Sequence, residues 1–96
     1  MLRVYALCGA RGVQTTPHSP YFGPGLLASV HIIAALAEKP LVEVLWLGME
    51  ANPFDPWVRT KDGRIRVPHG PGLGCDPGPA VLARYRTGEV VTTKAP

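Results

Sequence analysis

Two side chains stand out as candidates for moving protons near neutral pH, His18 and Glu43. His18 follows a β-type run at residues 13–16 that Pro17 ends, because proline has no ladder donor. A histidine where a strand gives way to a loop can act as general acid or base, although a lone loop histidine is more often plain polar surface. Glu43 lies inside LVEVLWL, flanked by Leu41, Val42, Val44 and Leu45. Burying that carboxylate charged and alone is very costly, so it must reach a partner, a cavity or the strand end, or stay protonated and donate a hydrogen bond. The plainer alternative is a half-exposed edge strand on which Glu43 meets water. The residues alone leave both readings open.

The remaining polar candidates have ordinary explanations. His31 sits inside an apolar helix and reads as a packing residue, and His69 is a loop histidine. Asp55, Asp62 and Asp76 occupy turn contexts. HExxH, a Cys/His ligand pair at metal spacing, a P-loop and G-x-S-x-G are all missing from the sequence, so the chain alone is expected to bind no metal. Cys8 and Cys75 form neither a disulfide framework nor a metal knuckle, which points to a reducing, cytoplasmic setting.

The elements that must position His18 and Glu43 follow in order. Residues 2–10 read as the end of a helix, with Gly12 as its left-handed stop. After the 13–16 strand and the His18 loop, Pro20, Gly23, Pro24 and Gly25 hold irregular backbone until a helix over 26–37. That helix is apolar nearly all round and expects packing on more than one side. Lys39-Pro40 breaks it, and 41–47 is an unbroken apolar run of the kind found in strands covered on both faces. Strand, crossover helix and strand make a βαβ unit, which needs neighbouring strands to bury its edges.

From residue 49 the periodicity stops. Residues 57–67 read as a small hairpin turning at Asp62-Gly63, and Asp76-Pro77 as N-cap and first helical residue of a short helix to Tyr85. The last ten residues are polar and expected to fray. The likeness of Pro17-His18-Ser19-Pro20 to Pro68-His69-Gly70-Pro71 is shared turn chemistry, since the flanking elements differ.

With 96 residues, 46% of them apolar, the chain makes at most one small domain. The net charge of +3 comes from scattered basic residues, so no nucleic-acid stripe is built. The apolar run at 26–37 is well short of the roughly 20 residues that span a bilayer, and the N-terminal run is too interrupted for a signal peptide.

The succession PHS, GPGLLASVHIIAALAE, LVE and KDGRIRVPHGPGLG, covering about residues 4–85, resembles the C-terminal part of the mandelate racemase/muconate lactonizing enzyme group of the enolase superfamily. Its most specific stretch is Asp62-Gly63 through Pro71-Gly72-Leu73-Gly74, at the family's distance after Glu43. The resemblance implies an α/β fold: a C-terminal fragment of a TIM-type β/α barrel, comprising its last two strands with the crossover helix, plus a loop-rich C-terminal arm with a small hairpin. Residues 1–48 would be the end of the barrel and 49–96 the arm, one partial domain overall.

It also implies a Mg²⁺-dependent acid-sugar dehydratase or racemase, a lyase or isomerase that abstracts the proton next to a substrate carboxylate. His18 matches the family's general acid/base, and Glu43 the glutamate that hydrogen-bonds the developing enolate oxygen. Ser29, Val30, His31, Ala34 and Ala35 match packing positions of the family's helix. The acidic Mg²⁺ ligands, a lysine base, an aspartate that pairs with the histidine and a capping domain belong to upstream sequence in the family, so the isolated chain is expected to be inactive. The alternative is a noncatalytic interaction module that completes a partner's barrel, by association with the missing portion or as a homo-oligomer. The expected ligand is a carboxylate-bearing small molecule, an acid sugar or hydroxy acid, with neither nucleic acid nor membrane as partner.

Overall fold

Local hydrogen-bonding rules account for the elements that form in the computed structural model, which describes residues 1–19 and 21–88. Helix α1 spans Leu2–Gly9 and is closed by Val13 donating to the Cys8 carbonyl (2.9 Å), with Gly12 at φ +66° making the left-handed stop. Helix α2 spans Pro24–Leu36, with Gly23 as N-cap and Pro24 in the first turn, where a missing N–H costs nothing. It begins two residues before the expected start, because proline and glycine are tolerated in a first turn. Ala37 turns extended and Pro40 follows.

One face of α2 forms the core. Leu26, Leu27 and Val30 are buried with Val58, and Phe54, Trp57, Ile65, Val67, Leu73 and Cys75 of the following arm pack against them. The last turn is bare: Ala34, Ala35 and Leu36 are exposed, while Ala28, His31 and Ile32, away from the core, are only partly covered.

The arm is built from turns. Asp62 (φ +53°) and Gly63 (φ +70°) both adopt left-handed backbone, as a two-residue hairpin turn of the primed type requires. The bridge they close, Lys61 to Arg64, is the whole of the expected hairpin. In the 68–74 loop, Gly70 donates to the Gly74 carbonyl (3.1 Å) and Gly74 to that of Pro71 (3.0 Å). A Cβ on Gly74 would lie 2.6 Å from the Pro68 carbonyl carbon and oxygen, so only glycine fits. Helix α3, Pro79–Tyr85, uses the expected grammar two residues late, with Gly78 as N-cap and Pro79 following in place of Asp76-Pro77. The Gly78 amide is taken by the Pro53 carbonyl (2.5 Å). Pro20 and, from residue 89, the tail expected to fray lie outside the described residues.

The expected α/β fragment of a TIM-type β/α barrel does not form. Among the described residues there are three helices and no β-strand; residues 13–16 and 41–47 carry no ladder. Parallel pairing needs a sheet around it, and two short segments with both outer edges open gain too little to order each other. The second segment instead ends in a three-residue turn, the Leu47 amide donating to the Leu45 carbonyl (3.0 Å), with Trp46 fully exposed at its centre. The radius of gyration, 15.7 Å, exceeds the about 12.5 Å of a compact domain of this length. No helix among the described residues is long and apolar enough to cross a membrane.

Candidate functional site

His18 and Glu43 meet although they lie beyond opposite ends of α2. A 13-residue helix is about 20 Å long. Residues 37–43 can recover about 23 Å when extended, so the chain must return along the helix for Glu43 to reach the side where α2 begins. This doubling back, without any ladder, brings the two side chains together.

The geometry is a fork on one oxygen. Glu43 Oε2 lies 2.9 Å from His18 Nδ1 and accepts the Ser19 backbone amide at 2.9 Å. The imidazole is 77% exposed and the carboxylate side chain 40%. Glu43 is therefore neither entombed nor simply hydrated: it is half-buried with two partners, which resolves the alternatives left open by its apolar neighbours. Pro17 and Ser19, on either side of His18, are buried and anchor the segment that presents the ring. The Ser19 hydroxyl is buried and has no hydrogen-bond partner among the described residues.

The other candidates serve the scaffold. His31 Nε2 donates to the Leu73 carbonyl (3.0 Å), clamping the 68–74 loop onto α2. Asp55 takes a two-pronged bond from Arg59 (2.9 and 2.7 Å), which raises the guanidinium pKa further. Asp62 forms the hairpin turn, and Asp76 adds to the burial that raises the Cys75 thiol pKa. Cys8 and Cys75 are free thiols. Among the described residues, His, Cys, Asp and Glu gather nowhere in a group of three, so their donor set does not fit Mg²⁺ by itself.

Three residues were not legible as site or scaffold features. Ser19 acts through its backbone amide, which no side-chain pattern announces. Asn52 is buried, donating to the Phe22 carbonyl (2.6 Å) and accepting from the Phe54 amide (2.9 Å). The Asn-Pro dipeptide at 52–53 was the signal for that turn. Glu50 pairs with Arg84 (2.5 Å) and hydrogen-bonds Tyr85, raising the phenol pKa.

A groove of about 390 Å³ opens beside the core between Phe22, Leu26, Trp46, Met49 and Val58, and neither His18 nor Glu43 lines it. Set against known proteins, residues 1–81 match the family model described as enolase C-terminal domain-like. No solved structure matches the chain.

Proposed function

The chain belongs to the enolase C-terminal domain-like family, and on that premise we propose that it is the C-terminal part of an enolase-superfamily enzyme in which His18 transfers a proton at the carbon next to a substrate carboxylate. The observation that carries this reading is the 2.9 Å pairing of His18 with Glu43 at an exposed imidazole. In the reaction the C–H electron pair moves onto the carboxylate to form an enediolate, while the proton passes to the imidazole. Glu43 lies close enough to act on the same substrate, hydrogen-bonding the developing enolate oxygen. The substrate class is an acid sugar or hydroxy acid, and the subgroup is that of mandelate racemase and muconate lactonizing enzyme. In that superfamily Mg²⁺ would stabilise the enediolate, and its ligands would come from outside this chain.

The test joins the portion of an acid-sugar dehydratase that precedes its matching segment to the N-terminus of this chain. Exchange of the substrate's α-proton in D₂O is expected, falling about 10²–10⁴-fold in His18→Asn. Exchange that is indifferent to His18 would overturn the reading. The isolated chain, supplied with Mg²⁺ and the same substrate, should show none.

A second reading, an interaction module with no chemistry of its own, is favoured by one observation: Trp46 is fully exposed among exposed Leu41, Leu45 and Leu47. A defined complex or oligomer in size-exclusion chromatography, together with an inactive joined enzyme, would support it.

A further inference from the structure

We propose that the cationic face of the turn at 61–66 is a docking surface for an extended acidic segment of a partner chain, with carboxylates on every second residue. The inference stands apart from the catalytic reading, because neither His18 nor Glu43 lines this surface.

Basic residues that look scattered in the sequence gather here. Trp57, Arg59, Lys61, Arg64 and Arg66 line one open groove of about 730 Å³. Arg64 and Arg66 are exposed while Ile65 and Val67 are half-buried against the core, which is the two-residue period of extended backbone. Lys61 and Arg64 exchange both backbone hydrogen bonds (2.8 and 3.0 Å), so their side chains leave the same face of the turn. Like charges opposed in this way weaken a hairpin. Asp55 neutralises Arg59, and Asp62 offsets one further charge at the turn, but Lys61, Arg64 and Arg66 have no ion-pair partner among the described residues. Folding alone gives no reason to crowd these cations, whereas an acidic ligand does.

Two observations select an extended acidic peptide. Arg64 and Arg66 stand two residues apart, about 7 Å, which is the spacing of carboxylates on alternate residues of an extended chain. Each guanidinium can take a carboxylate on two parallel N–H bonds. The backbone N–H and C=O groups of residues 65–67 make no hydrogen bond with other described residues, which leaves donors and acceptors for a strand laid beside them. A second copy of this chain does not fit, because no two acids of the sequence lie two residues apart. Nucleic acid is the poorer match, since its affinity rests on neutralising many phosphates and the free cations here are Lys61, Arg64 and Arg66.

The experiment titrates a peptide of alternating glutamate and threonine into the full chain at about 0.1 M salt and follows the indole N–H signals of both tryptophans by NMR. Trp57 should shift, and the fully exposed Trp46, which lines the other groove, should not. Arg66→Glu should weaken binding at least about tenfold, the scale of one hydrogen bond between charged groups. Arg3→Glu, the same change of charge placed on α1, should weaken it less than about twofold. Arg64→Glu should abolish binding yet raise the Tm, because it turns the Lys61 pair from like to opposite charge. A residue kept for structure would lower both. An unmoved Trp57, equal losses in Arg66→Glu and Arg3→Glu, or a lower Tm in Arg64→Glu would overturn the proposal. Tighter binding of oligothymidylate or of phosphatidylserine vesicles than of the peptide would also overturn it, and would give the face to a nucleic acid or a membrane instead.

Discussion

Helix α2 with its arm and the segment at 41–47 are both rich in apolar side chains, yet they end in largely opposite conditions, as does the polar segment at 13–16. Leu26, Leu27 and Val30 are buried against the arm, whereas Val13, Leu41, Leu45, Trp46 and Leu47 are exposed and Val42 is the point at which the second segment touches the core. The difference lies in where each kind of backbone finds its hydrogen bonds. A helix satisfies its own, and the arm closes turns over two to four residues at Asp62-Gly63 and Gly70 to Gly74. A strand depends wholly on a neighbour, and neither segment has one among the described residues. The site belongs to the second region but is held by the first. Ser19 leads into α2 and Glu43 follows it, so the rigid helix sets where both begin.

The largest expected break in this contrast is Leu27→Ala. Leu27 is completely buried, so its loss should cost about 2–5 kcal/mol by denaturant unfolding. Trp46→Ala, at a fully exposed position in the unpaired segment, should cost no more than about 0.5 kcal/mol. Equal effects would mean that Trp46 belongs to the core as much as Leu27 does.

Next comes Gly74→Ala. With φ +84° and Pro68 backbone 2.6 Å from the new Cβ, it should cost about 2–4 kcal/mol and loosen the loop held by His31. Gly12→Ala meets only the left-handed penalty in open space and should cost about 1–2 kcal/mol. Reversed sizes would place the arm's stability somewhere other than in its turns.

The smallest effect is one of pH. The Tyr85 phenol is raised first by its hydrogen bond to Glu50, then by burial and by the Glu50 charge. A raised folded value means that the stabilisation is fully present below about pH 10 and disappears as pH climbs through the folded value. Tyr85 chemical shifts should report α3 loosening from Glu50 in that window, with α2 unaffected and Tyr85→Phe showing no such step. A transition below pH 9 would assign the contact to another group.

What could be read from the residues follows the same division. Helices α1 and α2 and the left-handed stop at Gly12 were legible because helix signals are local, as with Lys39-Pro40 just past the end of α2, although Gly23-Pro24, read as loop, turned out to be its start. LVEVLWL carries every local mark of a covered strand, but a strand exists only with its partners, which no window of seven residues contains. His18 and Glu43 were legible from side-chain type and from the family likeness, and the structure puts them in contact. The Ser19 amide was not legible, because a backbone donor leaves no trace in side-chain chemistry.

Amide hydrogen exchange on the full chain tests most directly whether the site is assembled without a sheet. The Ser19 amide, bonded to Glu43 Oε2 at 2.9 Å, should exchange measurably slower than the amides of residues 14–16 and 41–46, and should lose that protection in Glu43→Ala. Protection running through 41–46 as in a ladder, or a Ser19 amide exchanging as fast as those neighbours, would contradict the account.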